Sequence, residues 1–434
     1  MSHSFRQVPQ AKTERSTFDR SHGYKTTFDA GYLVPFFVDD ALPGDTFNLK
    51  ANGFARLATP IYPIMDNMFM DTFFFAVPKR LVWDNFKKFM GEQTDPGDSI
   101  DYIVPDRTAT TGNAGTIADY MGLPIGSNLE FSALPLRAYH LIWDEWFRDQ
   151  NLQDSKDVVK DDTSGIINNG NWWVLNKRGK RHDYFTSALP WPQKGDSIDL
   201  PLGTSADVHH VGTAGDYVSV YSDTDSQLRG FIPDGITDLA ELSTTTPSAS
   251  TQLYADLSSA TAATINQLRQ AFQVQKLLER DARGGTRYIE IIRSHFGVTS
   301  PDARIQRPEY LGGGSTPVNV TPIPQQSETN TTPQGNLSAM GTVSFQNHGF
   351  TKSFTEHSII IGLVNVRADL TYQQGINRMW SRSTRYDYFW PSLAHIGEQT
   401  ILNKEIYADG SSNDDDVFGY QERYAEYRYK PSQI

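Results

Sequence analysis

Few residue groupings in this sequence could do chemistry. Asp207, His209 and His210 place a carboxylate and two imidazoles within four positions, the donor types of a transition-metal site. Neighbouring side chains of an extended chain point apart, so the histidine pair cannot face one ion together, and an exposed loop is the stronger expectation. The triple glycine at 312–314 lacks the GK[ST] ending and the following helix of a phosphate-binding loop. DGSSNDDD at 409–416 has calcium-loop composition without the glycine and terminal glutamate that the helical calcium motif requires, so it reads as a solvated acidic turn. No serine sits in a G-x-S-x-G elbow, no H-E-x-x-H occurs, and no Asp or Glu pair stands out from the rest. The sequence therefore points to no catalytic group, metal or cofactor.

Two clusters interleave cations with rings. One holds Arg378, Trp380, Arg382, Arg385, Tyr386, Tyr388, Phe389 and Trp390; the other runs from Tyr420 through Arg423, Tyr424, Tyr427, Arg428 and Tyr429 to Lys430. Rings that stack on bases beside cations that meet phosphates suit single-stranded nucleic acid. The same composition suits aromatic packing at a subunit contact with arginines on its rim, and both readings stay open. Residues 1–27 add Arg6, Lys12, Arg15, Arg20 and Lys25 against Glu14 and Asp19, which reads as a flexible basic arm.

The elements that must position these groups begin with the densest apolar stretch. Met68 to Val77, read as a strand, turns Met70, Phe74 and Ala76 to one side and Phe69, Phe73, Phe75 and Val77 to the other. A strand apolar on both faces needs cover on both, from a second sheet, an inserted segment or a neighbouring subunit. Val82, Phe86, Phe89 and Met90 follow at helical spacing up to Gly91. Residues 47–57 alternate apolar and polar after the turn signal LPGD, and residues 360–372 give the strongest strand pattern in the chain. Leu136, Tyr139, Ile142, Trp143, Trp146 and Phe147 form the apolar face of a helix whose opposite face carries Arg137, Asp144 and Arg148. A second amphipathic helix is expected from about 262 to Arg283, with Ile265, Leu268, Ala271, Phe272, Val274 and Leu278 on one side.

Residues 203–260, rich in Thr, Ser, Asp and Ala, read as an exposed insertion. Residues 312–341 hold 17 Gly, Pro, Ser or Thr in thirty positions, the composition of an extended or disordered crossing segment. Strands at both ends with helices and long loops between them predict one β-sandwich interrupted by insertions.

At 434 residues the chain can bury a large core, and its lack of cysteine excludes disulfides, thiolate metal sites and cysteine nucleophiles. The start lacks the apolar stretch of a signal peptide, and no apolar run approaches membrane-spanning length, so a soluble, non-secreted protein is expected. A net charge of −12 argues against nucleic-acid binding by the surface as a whole.

Long ordered strings then carry a resemblance. FDRSHGYKTTFDAGYLVPFFVDDALPGDTFNL (18–49), ATPIYPIMDNMFMDTFFFAVPKRLVWDNFKKFMGEQ (58–93), LPLRAYHLIWDEWFRDQNLQ (134–153), SALPWPQKGD (187–196), GGGSTPVNVTPIPQ (312–325), RYDYFWPSLAHIGEQTILNKEIYADG (385–410) and FGYQERYAEYRYKPSQ (418–433) together resemble the major capsid protein of microviruses, the small single-stranded DNA bacteriophages, and most closely the gokushovirus branch. The resemblance implies an all-β fold: an eight-stranded jelly roll, the Greek-key β-sandwich of viral shells, with large loop and helix insertions. It implies self-assembly into a closed icosahedral (T=1) shell of about sixty copies around a circular single-stranded DNA genome.

Residues 1–27 would then be the basic arm and 28–200 the first part of the roll. Residues 201–260 would form a three-fold protrusion that meets a host-surface receptor, 261–311 an insertion helix and return, and 312–434 a linker and the second part of the roll. Members of the family continue past YKPSQ, so a shortened form or a missing C-terminal segment is expected. Arg6, Lys12, Arg15 and Arg20, or Arg378, Trp380, Arg382 and Arg385, are the candidates for genome contact. Phe69, Phe73, Phe75, Trp83, Tyr424 and Tyr427 are the candidates for core or subunit interface. Further implied partners are a small internal DNA-binding or scaffolding protein and a minor pilot protein, with assembly in the bacterial cytoplasm and residence in the virion. The alternatives from composition are a carbohydrate-active β-sandwich enzyme or binding protein, and a single-stranded DNA binder without sequence preference.

Overall fold

The computed structural model describes residues 14–60, 64–110, 114–198 and 265–434, with short backbone stretches at 207–210, 218–222, 226–233, 240–242 and 253–256. Strands β1 (Val34–Ala41), β2 (Thr46–Arg56) and β3 (Met68–Pro78) come first. They are followed by α1 (Phe86–Phe89), β4 (Asp106–Thr110), α2 (Ile117–Tyr120), β5 (Asn128–Ser132) and α3 (Leu134–Ile142), which continues as a π-helical turn over Trp143–Phe147. Next come β6 (Asp207–His210), β7 (Val218–Ser222), β8 (Gln227–Pro233), β9 (Ala240–Leu242) and β10 (Leu253–Asp256). Helices α4 (Ile265–Gly284), α5 (Tyr288–Phe296) and α6 (Asp302–Ile305) lead into β11 (Glu309–Pro317), β12 (Asn319–Pro324), β13 (Leu337–Ser353) and β14 (Ser358–Ala368). The chain closes with β15 (Glu398–Leu402), α7 (Asn403–Ile406) and β16 (Val417–Glu422). The described chain is chiefly β-sheet with few helices, as an all-β reading requires.

Two antiparallel sheets make the body. One has the order β1-β14-β3-β11 and the other β12-β13-β2. The chain passes from one sheet to the other between β1, β2 and β3, and again between β11, β13 and β14. The first strand thus lies beside the last of the body, Val34 opposite Val364.

The two-sided greasiness of β3 has its cover. Phe74 and Ala76 pack with Ile360 against Phe350, Phe354, Phe47 and Leu49, so this face looks across to the second sheet. Phe75 and Val77, with half-buried Phe73, face the other way into a core with Leu136, Tyr139 and Ile142 of α3. An inserted helix thus covers the outer face, and each large side chain fully withdrawn from water contributes about 2 kcal/mol. β14 sits between β1 and β3 and is buried on both faces along most of its length. It ends at Ala368, short of the expected Tyr372, which makes an isolated bridge to Gln433 instead.

Three expectations need correction. The polar face assigned to α3 is not solvated: Arg137 has no exposed surface, and Asp144 is buried. The segment from 312 is not a free linker, because residues 312–317 complete β11, 319–324 form β12, and 337–341 begin β13. Its glycines serve close approach: a Cβ on Gly312 would stand 2.5 Å from the Gly349 carbonyl oxygen and one on Gly314 against the His348 ring, both on the second sheet, while one on Gly313 would stand 2.0 Å from the carbonyl oxygen of Thr72 on the neighbouring β3. The third concerns α4, described from Ile265, whose apolar side is largely exposed: Ile265 is 70 % and Phe272 64 % exposed, and residues 262–264 lie outside the described residues. Leu268, Ala271 and Leu278 are half-buried.

The expected insertion at 201–260 lies largely outside the described residues. Within it, β6 pairs with β10, and β7, β8 and β9 form a small sheet.

Candidate nucleic-acid and subunit interfaces

The two basic-aromatic clusters converge on one C-terminal module. β15 pairs with β16, and Ile401 and Ala425 pack with Tyr184 and Phe185 beneath them. Most of the arginines here are already engaged. Arg378 donates to the Thr400 carbonyl (2.5 Å) and to Glu405 (3.1 Å). Burial pushes the Glu405 carboxyl up from its ordinary range, and the charge of Arg378 opposes it. Arg382 reaches Glu426 at 3.4 Å and lies 4.3 Å from the centre of the Tyr427 ring. Arg428 pairs with Glu422.

Arg385 is different, with its guanidinium 4.6 Å from the Trp390 ring centre while the Trp390 indole donates to the Arg385 carbonyl. Within five positions of it in the chain are Trp380, 75 % exposed, and the exposed rings of Tyr386 and Tyr388. Arg385 with these rings is the part of the cluster that retains both a cation and open aromatic faces. A cleft of about 220 Å³ opens nearby between Tyr184, Tyr372, Arg378, Glu405 and Tyr429. Its Arg378 and Glu405 satisfy each other, and the Tyr372 hydroxyl donates to Asp183 at 2.7 Å, so the cleft presents no uncommitted acid and base.

A second charged group lies in the body. Asp71 on β3 accepts from Arg178 and, at 2.7 Å, from Arg367, which also binds Asp369 at 2.8 Å. Burial is the largest single influence on Asp71 and pushes it up. Hydrogen bonds from Ser315, Arg178 and Arg367 with the Arg178 charge outweigh it and hold the carboxyl below its ordinary range. The group ties the segment after α3 to the middle of the first sheet. His140 on α3 faces the Trp172 carbonyl through Nε2 (2.9 Å) and the Asn176 amide through Nδ1 (3.1 Å), and burial pushes it down to about 4. It is a neutral structural histidine.

Arg6 and Lys12 lie outside the described residues. Arg15 donates to the Gly44 carbonyl, and Arg20 pairs with Asp39 at 2.6 Å, so the described part of the basic arm, though exposed, leans on the turn after β1 and on β1 itself. Phe75 and Trp83 are core residues, the Trp83 indole donating to Asp162 at 2.6 Å. Phe73 sits against Phe147 and beneath Arg178, and Phe69 beneath Arg367. Tyr424 is buried with its hydroxyl donating to the Tyr386 carbonyl, while Tyr427 is 49 % exposed. The sequence reading placed Arg137 on the polar face of α3 but missed its role: its guanidinium donates to the carbonyls of Gly165 (2.9 Å), Val82 (3.1 Å), Asp161 (3.0 Å) and Thr163 (2.6 Å). Its one visible signal was a cation in the middle of an otherwise apolar helix.

Among the described residues no three His, Asp or Glu side chains gather in a way that could hold a metal ion. A family model described as capsid protein (F protein) matches residues 6–434. Capsid protein VP1 of Bdellovibrio phage phiMH2K is 50 % identical over 451 aligned residues, covering all of this chain and 84 % of that protein. Capsid protein VP1 of Chlamydia phage 1 is 43 % identical over 512 residues, covering all of this chain and 86 % of that protein. Capsid protein VP1 of Spiroplasma virus 4 is 37 % identical over 462 residues, again with all of this chain and 84 % of that protein aligned.

Proposed function

The chain belongs to the capsid protein (F protein) family, and from that premise we propose that it builds a closed icosahedral shell of about sixty copies around a circular single-stranded DNA genome. It is a structural capsid subunit of the virion that assembles with copies of itself, not an enzyme. The observation that carries the shell geometry is the strand order. The alternation of successive strands between the two sheets, with β1 beside β14, supports an eight-stranded jelly roll in which β1, β14, β3 and β11 face β12, β13 and β2. The one further strand of the roll would come from the long excursion between β3 and β11, where β4 and β5 pair.

Genome contact is assigned first to Arg385 with Trp380 and Trp390, and second to the arm with Arg6, Lys12, Arg15 and Arg20. Arg378 and Arg382 are committed to Glu405 and Glu426 and take the lesser part. Residues 201–260 remain our candidate for a host-receptor protrusion, and a small internal DNA-binding or scaffolding protein and a pilot protein are the other partners of a shell assembled in the bacterial cytoplasm.

The test is expression of the wild-type chain and a Trp380→Ala/Arg385→Ala variant, followed by electron microscopy and the absorbance ratio of purified particles. Closed particles with a lowered nucleic-acid content in the variant support the assignment. Full nucleic-acid content in the variant removes Arg385 and Trp380 from the genome contact, and absence of closed particles from the wild type contradicts the shell.

A further inference from the structure

Helix α4 carries a surface that is exposed and, among the described residues, largely without partners. Ile265, Arg269, Phe272, Lys276, Arg280 and Arg283 recur at intervals of three and four, which places them on one side of the helix over roughly 27 Å. Arg283, at the C-terminal end, pairs with Glu398 and Glu422 of the same chain and anchors α4 to the C-terminal module. Among the described residues Arg269, Lys276 and Arg280 have no carboxylate partner, and all three are exposed beside Ile265 and Phe272. Of the two acidic residues of α4, Asp281 lies on the opposite side, while Glu279 borders the stripe three residues after Lys276 and accepts from Gln275. The result is an apolar and basic stripe on a protein whose net charge is −12.

The opposite character occurs at the far end of the C-terminal module. The turn 409–416 carries Asp409, Asp414, Asp415 and Asp416 without a cation of its own, and Lys404 reaches only Asp415. Apolar surface flanks it as well: Tyr407 is 56 %, Val417 48 % and Phe418 48 % exposed. Both surfaces combine exposed apolar residues with charge, and the charges are of opposite sign. A long helical stripe and a short acidic turn are different patches, so a contact between them is head-to-tail, the kind that closes rings about a symmetry axis.

We propose that the α4 stripe docks on the acidic turn 409–416 of a second copy of this chain. The inference rests on the capsid reading and adds to it which surfaces meet. Complementary charge sets the register and speeds encounter, and burial of Ile265 and Phe272 against Tyr407 and Phe418 holds the contact.

Three variants of the full chain test it, with assembly followed by sedimentation velocity and electron microscopy. Arg269→Glu/Lys276→Glu/Arg280→Glu reverses the helix, Asp415→Lys/Asp416→Lys reverses the turn, and the third chain carries all five changes. Each reversal alone is expected to raise the concentration needed for assembly by on the order of tenfold or more. The combined chain is expected to recover most of that loss, which a misfolded surface would not do. If the wild type assembles and the single reversals assemble equally well, the docking is refuted while the capsid reading stands. If the helix variant assembles normally but its particles lose nucleic acid, the stripe faces the genome and the proposal is overturned. Failure of the wild type to assemble would strike at the capsid reading itself.

Discussion

Replacing Arg137 by Met isolates the largest polar commitment in the interior. The guanidinium uses four of its five N–H groups on backbone carbonyls from the loop at 161–165 and from Val82. Those contacts fix that loop, and the end of the turn after β3, to the helix covering the outer face of the first sheet. Hydrogen bonds from a charged donor are worth about 1.5 kcal/mol or more each, so four come to roughly 6 kcal/mol. Methionine avoids the cost of keeping a buried cation, which offsets part of that sum, but it leaves four carbonyls facing an apolar chain. The expected net loss is about 4 kcal/mol, read as the difference in unfolding free energy from urea titration. Arg137→Lys keeps the charge but not the planar fork, and should lose about 2 kcal/mol. If Arg137→Met unfolds within about 1 kcal/mol of the parent, the four contacts do not hold the loop and the reasoning fails.

Phe74→Ala empties a site with no exposed surface between the two sheets and should cost about 3–5 kcal/mol by the same titration, with loss of assembled particles. Gly313→Ala sets a methyl group against the Thr72 carbonyl and should cost about 2 kcal/mol or more, whereas a true linker would tolerate it. The Asp71 carboxyl is held below 3.8, so its contribution is present above that value and lost as pH falls through the lowered native one; Asp71→Asn should destabilise the fold at neutral pH and remove this acid sensitivity of the urea midpoint. His140 moves the same way for a different reason. Its native value of about 4 lies below the ordinary 6.5, so the unfolded chain takes up the proton first and stability falls by about 3 kcal/mol as pH drops across that window, a fall that proton uptake on acid unfolding would register.

The parts of the fold legible in the sequence were those where side-chain period and burial agree. The alternation in β2 survives as alternating exposed and half-buried positions, and the two apolar faces of β3 meet two different partners, a sheet and an inserted helix. The turn before β2 and the end of α1 follow from Gly44 and Gly91, both at positive φ. What escaped depends on contacts distant in sequence. Arg137 looks like a solvated residue until the carbonyls of residues 161–165 fold over it, and no local pattern announces that. Gly312 to Gly314 look like a linker because their composition matches one, while the requirement they meet is set by β3 and β13. The basic-aromatic clusters were visible as composition, but which arginines remain free was decided by Glu405, Glu422 and Glu426 folding back on them. α4 was expected as an amphipathic helix, and among the described residues only part of its apolar side is covered.

The most direct test of the central claim is cryo-electron microscopy of particles purified after expression of this chain. The account predicts closed icosahedral shells whose repeating unit holds a two-sheet body with β14 between β1 and β3 and α3 on its outer face. Only monomers or amorphous aggregates, or a shell whose repeating unit lacks that sheet order, would contradict it.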